Sequence, residues 1–422
     1  MAALLATHFG WQLRQLDVKN AFLHGELQEE VYMQQPQGFV DPTNPSYVCK
    51  LRKSLYGFKQ APRAWFECFT THLLKLGFVA SSVDSSLFVR LVHGSYTYLL
   101  LYVDDILVTG SDPSYIASLI VQLKCRFDMT DLEDLKYFLG LEISYTNNGL
   151  SISQAKYTRD VLQRFGILSA KPCTTPMSLS STTDIGAPCS IEDIRNYRSL
   201  IGSLHYLTFT RPDIAFAVGK LSQFMHAPCE SHLVAAKRIL RYLSGSLQFS
   251  IMFQRSSSNL RLHAFSDSDW AGDSHDRRST SGFVIFLGSN PISCGSKKQS
   301  TVSRSSTEAE YRCLASTAAE LFWVRQLLKD LHVFSTQSPV LWCDNASAIQ
   351  LAKNPVFHGR TKHVEIDFHF VRERVVRKDI TLCYVPTTHC KSFHQASHFC
   401  SFVLLSIQTT ASASIRLRGD NN

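Results

Sequence analysis

Two aspartates stand side by side in Tyr102-Val103-Asp104-Asp105, between the apolar, strand-like runs 98–101 and 106–108. The chain has to reverse between those runs, so the acids fall in the turn of a hairpin. Paired acids in a tight turn are common in proteins of every kind, and neighbouring side chains on a regular strand point to opposite faces. Both carboxylates therefore reach one site only if the turn twists them together.

A third acid, Asp17, ends the apolar run 13–16 and leads into Val18-Lys19-Asn20-Ala21-Phe22-Leu23. Carboxylates from two strand ends make a hard oxygen ligand set that suits Mg2+, which keeps waters and substrate phosphates in its shell. Two such ions, on the order of 4 Å apart, activate a primer 3′-hydroxyl and stabilise a leaving pyrophosphate. That is polymerase chemistry.

A second constellation lies further along. In His263-Ala-Phe-Ser-Asp-Ser-Asp-Trp-Ala-Gly-Asp273, the acids Asp267 and Asp269 are two apart on a strand and share a face. Ser305-Ser-Thr-Glu-Ala-Glu-Tyr311 reads as a capping box opening a helix, with Ser305 or Thr307 as cap and Glu308 or Glu310 answering it. The cap needs one glutamate, which leaves Glu310 free to turn inward toward the strand acids. Trp342-Cys343-Asp344-Asn345 adds an acid just past an apolar strand. An Asp on a strand, a Glu on a helix and an Asp at a second strand end form the frame of a two-metal nuclease.

Length and composition bound the remainder. With 422 residues, 45% of them hydrophobic and 18% charged, two or three globular units are expected. A net charge of +8 suits a polyanionic partner without proving one. The twelve cysteines include no C-x-x-C pair, which argues against a zinc knuckle or a disulfide framework and for a reducing compartment, cytosol or nucleus. The apolar opening lacks the basic flank of a secretory signal. The longest apolar stretch, 399–407, is half of what a membrane span needs, so a soluble protein is expected.

The pattern along the chain is α+β. The first section reads as a helical start, a strand over 11–18, a helix over 61–76 and a hairpin over 96–109, with a further helix at 154–165. Residues 170–190, rich in Pro, Ser and Thr, read as a linker or long loop. A mainly helical section follows, in which Lys237, Arg238 and Arg241 on the 232–243 helix lie along a phosphate backbone or simply face water. From residue 260, strands at 262–265, 282–286 and 340–343 with a helix over 308–331 indicate a second α/β domain.

Several motifs carry a family resemblance. Gln15-Leu-Asp-Val-Lys-Asn-Ala-Phe-Leu-His-Gly25, Leu55-Tyr-Gly-Phe-Lys-Gln-Ala-Pro-Arg-Ala-Trp65 and Tyr102-Val-Asp-Asp105 resemble, in order and spacing, the reverse transcriptases of copia-type long-terminal-repeat retrotransposons. Ser266-Asp-Ser-Asp-Trp-Ala-Gly272, Arg278-Ser-Thr-Ser-Gly282, Ser306-Thr-Glu-Ala-Glu-Tyr311 and Cys343-Asp-Asn345 are similar to the ribonuclease H of the same elements. The resemblance covers roughly residues 2–388. It implies a palm and thumb over 1–145 and 146–258, with incomplete fingers and a helical connection that includes the 170–190 linker, then an α/β ribonuclease H-like domain over 259–388.

By that resemblance Asp17, Asp104 and Asp105 bind Mg2+, two ions per site, with Mn2+ as a substitute, for RNA-directed DNA polymerisation. Phe22 gates the 2′ position of the incoming deoxynucleoside triphosphate. Tyr56, Gly57, Lys59 and Pro62 belong to a stretch against template and incoming base: Gly57 allows close backbone approach, Pro62 opens the next helix, and Lys59 contacts phosphate or is solvated. Phe138-Leu139-Gly140 resembles the segment gripping the primer terminus. Asp267, Glu310 and Asp344 bind Mg2+ for cleavage of RNA in an RNA–DNA hybrid, and Asp269 is structural. Arg277 and Arg278, with Lys297 and Lys298, hold hybrid phosphates. Lys362, His363 and Arg372 are weaker candidates of that kind. The implied partners are RNA template, DNA primer and hybrid, with no membrane, and the implied setting is a virus-like particle.

Both ends depart from the family pattern. Only sixteen residues precede Asp17, so the finger residues that hold the triphosphate are expected to be missing, as are protease and integrase regions. After Tyr384-Val-Pro-Thr-Thr388 the family continues with a Leu-Ala-Asp block bearing a fourth nuclease acid, whereas this chain runs His389-Cys-Lys-Ser-Phe-His-Gln-Ala-Ser397. Residues 389–422 are expected to be a frameshifted, poorly ordered tail. The alternative to an active enzyme is a catalytically inactive retrotransposon remnant that at most binds nucleic acid.

Overall fold

The computed structural model describes residues 1–178, 186–255, 260–333, 335, 337–354 and 365–386. The expected tail, together with Lys362 and His363, lies outside the described residues. The described residues form two compact units, Met1–Leu135 with Gln326–Val333, and those of Lys136–Arg325 with the described residues after 334.

The first unit is built on a six-stranded antiparallel sheet. Its order is Val79–Ala80, Leu87–Val92, Ser95–Tyr102, Asp105–Gly110, Leu13–Val18, Met129–Asp134. Strand Leu13–Val18 starts two residues later than its apolar pattern suggests, because helix Ala2–Phe9 ends on Gly10 in the left-handed conformation (φ 71°) and the chain turns before pairing. Period-two alternation sorts the faces. Leu16, Val18, Leu99, Leu101, Ile106 and Val108 face helices Ala61–Lys75 and Pro113–Arg126, which bury Trp65, Phe69, Leu73, Ile116, Leu119 and Leu123 against them. Gln15, Asp17, Asp105 and Leu107 take the opposite face. Asp112 caps the second helix by accepting from Ser114 and Tyr115 N–H groups, and Pro62 and Pro113 open their helices where no N–H is needed.

In the second unit, a four-stranded antiparallel sheet runs Ile251–Gln254, Gly149–Ser153, Leu141–Thr146, Tyr137–Phe138. Helices Ala155–Arg164, Ile191–Leu207, Ala215–Ser222 and Glu230–Ser244 share one apolar core. The described parts of 170–190 are held to the last helix: Arg241 Nε donates to Lys171 O (2.7 Å), Arg238 Nη2 to Thr175 Oγ1 (2.8 Å), and Pro188 bridges Cys229. Two of the three cations expected to lie along a phosphate backbone or face water thus brace a loop, while Lys237 is exposed.

Arg211 and Asp213 form a fully buried ion pair here (Nη2 to Oδ2, 2.7 Å), completed by Tyr242 Oη donating to Asp213 (2.7 Å) and by Arg211 donating to Ser246 O and Oγ (2.9 and 2.7 Å). Removing one partner strands the other charge in the core. Arg211→Met is expected to cost about 3–5 kcal/mol of unfolding free energy, whereas Arg211→Met with Asp213→Leu should recover most of it. Denaturant unfolding of both variants checks this.

The last sheet is mixed, in the order Asn290–Lys298, Thr280–Leu287, Leu262–Asp269, Val340–Cys343, Thr381–Tyr384. Its first three strands are antiparallel, and the last two join parallel to Leu262–Asp269 and to each other. Parallel pairing needs a crossover, and helix Ser306–Asp330 lies between strands Asn290–Lys298 and Val340–Cys343 in the chain. The α+β class, with a further α/β section of mixed sheet after residue 260, agrees with expectation.

Candidate active sites

Asp17 and Asp105 are direct cross-strand partners at the ends of adjacent antiparallel strands, on the face turned away from the two helices. Like charges opposite one another on a sheet repel. Asp104 lies one residue away in the two-residue turn that joins Tyr102 to its partner Asp105. Gln15, two residues before Asp17 and so on the same face, donates from Nε2 to Asp105 Oδ1 (3.1 Å). Burial raises the Asp105 carboxyl above its ordinary value; the Gln15 bond opposes this, and the Asp104 and Asp17 charges add to it.

The turn itself is held in an uncommon shape. Val103 has φ 54°, in the left-handed region that a β-branched residue rarely adopts. Its carbonyl accepts from Trp65 Nε1 (2.5 Å), while Asp104 O accepts from Val18 N (2.8 Å), so both turn residues are tied to neighbouring elements. Trp65→Phe keeps an aromatic ring but leaves Val103 O without that donor. A loss of about 1–2 kcal/mol in thermal unfolding is expected; an unchanged midpoint would mean that the bond does not hold the turn.

Phe22 is half-buried and packs its ring on the exposed Tyr56 (centroids 4.7 Å apart), and Ser54 Oγ donates to Phe22 O. The two aromatic residues from separate motifs therefore meet. Gly57 has φ 93°, with open space where a Cβ would stand. Lys59 is exposed, and Pro62 lies in the first turn of helix Ala61–Lys75. Leu139 and Gly140 both take positive φ (49° and 75°), and Tyr206 Oη donates to Leu139 O (2.6 Å).

The second carboxylate group is buried. Asp267 and Glu310 are 6% and 4% exposed, and both accept the single Ser268 N–H (2.9 and 3.0 Å). Helix Ser306–Asp330 directs Glu310 inward because Glu308 meets the capping need: Ser305 Oγ accepts from Glu308 N (3.2 Å), and Glu308 Oε2 accepts from Arg304 N (2.9 Å). Glu308 also pairs with Arg312 (2.9 Å). Glu310, Cys343 and Asp344 bring ligand atoms within 4.8 Å of one another. Burial first, then the Asp267 and Asp344 charges, push the Glu310 carboxyl up to about 9.

Gln299 braces this group, its Nε2 lying within hydrogen-bond distance of Ala309 O (2.9 Å), Ser281 Oγ (3.0 Å) and Ser268 Oγ (3.2 Å), which share its two N–H donors. Asp269 is turned to structural use, accepting from Thr280 N. Lys298 is held by Asp273 and Asp276 (2.8 and 3.0 Å), which lowers Asp273 to about 2 despite its burial, through the lysine bond and two backbone N–H groups. Arg278 approaches Asp276 (3.5 Å), and Arg277 is exposed with φ 57°. A cavity of about 210 Å³ beside them is lined by His205, Lys220, Asp269, Asp273, Lys297 and Lys298, among others.

Sequence reasoning did not single out Gln15, Trp65, Gln299 or Cys343. Strand alternation could have found Gln15, which is two residues from Asp17. Trp65 and Gln299 act across long sequence separations that no local pattern reveals.

A family of proteins described as reverse transcriptase (RNA-dependent DNA polymerase) matches residues 1–179. The chain is 50% identical over 383 residues to a retrovirus-related Pol polyprotein from transposon RE1 of Arabidopsis thaliana, covering 91% of this chain and 26% of that protein. A putative transposon Ty5-1 protein of Saccharomyces cerevisiae is 34% identical over 310 residues, which span 72% of this chain and 100% of that protein. Among solved structures, a foamy viral protease-reverse transcriptase in complex with double-stranded DNA is similar with a TM-score of 0.47 and 14% identity, over 89% of this chain and 68% of that one.

Proposed function

This chain belongs to the reverse transcriptase family of copia-type retrotransposon Pol polyproteins, and from that premise we propose that it carries an RNA-directed DNA polymerase centre at Asp17, Asp104 and Asp105 and a ribonuclease H centre at Asp267, Glu310 and Asp344. The chain spans about a quarter of the length of the Arabidopsis polyproteins it matches. The observation that carries the reading is the direct pairing of Asp17 with Asp105 beside the Asp104 turn. Nothing in the packing of the sheet needs two acids opposed there, and a divalent cation would relieve their repulsion.

Both acid sets fit Mg2+, or Mn2+ in its place, two ions per centre: the first offers only oxygen donors on an open sheet face, and the second gathers the Asp267, Glu310 and Asp344 carboxyls, whose mutual repulsion a cation would relieve. When bound, the ions supply Lewis acidity to the attacking and leaving oxygens of phosphoryl transfer. The protein does the rest. Asp17 and Asp104 provide ligands from two strand ends, and Gln15 orients Asp105. Phe22, braced by Tyr56, crowds the 2′ position of a deoxynucleoside triphosphate. Tyr56, Gly57, Lys59 and Pro62 lie against the RNA template and the incoming base. In the second centre Ser268 N–H fixes Asp267 and Glu310 side by side, and Asp267, Glu310 and Asp344 would hold the cation, Glu310 as a carboxylate once its proton is released. Arg277 and Arg278 hold phosphates of the RNA–DNA hybrid.

Among the described residues no helix is long and apolar enough to cross a membrane. The reading is tested by hybrid cleavage with Mg2+ alongside primer extension on an RNA template. Cleavage lost in Asp344→Asn and extension lost in the Asp104→Asn, Asp105→Asn variant support it. A chain inert in both assays is the inactive remnant.

A further inference from the structure

The second centre contains a donor that Mg2+ chemistry does not use. Strand Val340–Cys343 ends on a cysteine with 0% exposure, whose Sγ lies 3.9 Å from Glu310 Oε2. Cys343 Sγ, a Glu310 oxygen and an Asp344 oxygen all fall within 4.8 Å of one another. Neighbouring strand residues normally point to opposite faces, but the strand stops at Cys343 and the chain turns into helix Ala346–Lys353, so Cys343 and Asp344 converge. The backbone N–H of Asn345 is aimed at the sulfur (3.4 Å), a bond that favours a metal-bound thiolate.

We propose that Cys343, Glu310 and Asp344 form a binding site for a thiophilic divalent cation of the Zn2+ or Cd2+ class, which competes with Mg2+ at the second centre. The proposal rests on that centre being a cation site and adds which ions it prefers. Carboxylates alone suit hard ions, whereas a thiolate shifts preference toward soft ones. Three protein ligands with a fourth position left for water is the pattern of an open zinc site. Tetrahedral bonds of about 2.3 Å to sulfur and about 2.1 Å to oxygen place ligand atoms roughly 3.6 Å apart. The observed spread thus closes with shifts of about an ångström. Binding exchanges protons for the metal: the Cys343 S–H bond and the Glu310 O–H bond break, S–metal and O–metal bonds form, and both protons go to solvent. Cys313, the other buried thiol nearby, is not a ligand, because its Sγ donates to Asp267 O (3.1 Å).

The test is a Cd2+ titration of the full chain under reducing conditions, read by the ultraviolet thiolate-to-cadmium absorption, with Cys343→Ser and Cys343→Ala compared to account for the other cysteines. Wild type should show a one-equivalent band that both variants lose, with Cd2+ affinity weakened about tenfold or more. Folded variants that keep the band and the affinity would overturn the proposal. Cadmium NMR of the wild type needs no variant: a resonance of one-sulfur, oxygen-completed cadmium is expected, and its absence overturns the proposal even if both variants fail to fold. Hybrid cleavage in Mg2+ is measured separately. A cadmium band without cleavage leaves this site standing and removes the nuclease reading; cleavage without the band does the reverse.

Discussion

Glu310→Gln is expected to abolish hybrid cleavage while making the metal-free protein more stable at alkaline pH. The two effects have one cause. Glu310 is buried against Asp267 and Asp344, and its carboxyl is pushed from 4.5 up to about 9. The folded state therefore holds a proton that the unfolded state releases, so stability falls as pH rises between those two values. An amide at this position stays neutral, which removes the penalty, but it offers a poorer ligand and cannot provide negative charge. Chemical unfolding in a chelator should show the wild-type midpoint declining from pH 5 to 9, with Glu310→Gln much flatter. Added Mg2+ should restore the wild type at the alkaline end and leave the variant unchanged. A variant as pH-dependent as the wild type would show that a group other than Glu310 carries the titration.

Asp17→Asn is expected to reduce deoxynucleotide incorporation by more than about 100-fold, since losing a direct ligand should exceed the 10–100-fold typical of outer partners. Gln15→Ala, which only releases Asp105, should cost about tenfold. The pH dependence has a definite sign. Asp105 must be ionised to bind a cation, and burial raises its proton affinity above the ordinary carboxylate value. Incorporation should therefore fall on acidification at a higher pH than an exposed aspartate would give, and Gln15→Ala should move that fall higher still, because the Gln15 bond is what opposes the rise. Primer-extension rates against pH for the two proteins check both statements. Coincident profiles would remove Gln15 from the site.

Much of this was readable from local patterns. The acid-bearing hairpin follows from two apolar runs around a reversal, and the division of labour between Glu308 and Glu310 from a capping box with one glutamate too many. What local patterns could not supply is long-range pairing. Strand Leu13–Val18 lies between Asp105–Gly110 and Met129–Asp134, and only that insertion sets Asp17 opposite Asp105. Val103 in a left-handed turn is against its own preference, and it is Trp65, thirty-eight positions away, that binds its carbonyl. Charge density was equally uninformative about partners within the fold. Arg238 and Arg241, read as phosphate contacts or a solvated face, and Lys298, read as a phosphate contact, hydrogen-bond to Thr175, Lys171 and the Asp273–Asp276 pair respectively. Cys343 was hidden by alternation, which assigns it to the face opposite Asp344 until the strand ends.

The central claim is that the Asp17, Asp104 and Asp105 cluster carries out templated DNA synthesis. Primer extension on an RNA template with Mg2+, comparing this chain with its Asp104→Asn, Asp105→Asn variant, tests it most directly. Extension by the wild type and none by the folded variant is the predicted result; equal incorporation by the two would contradict it.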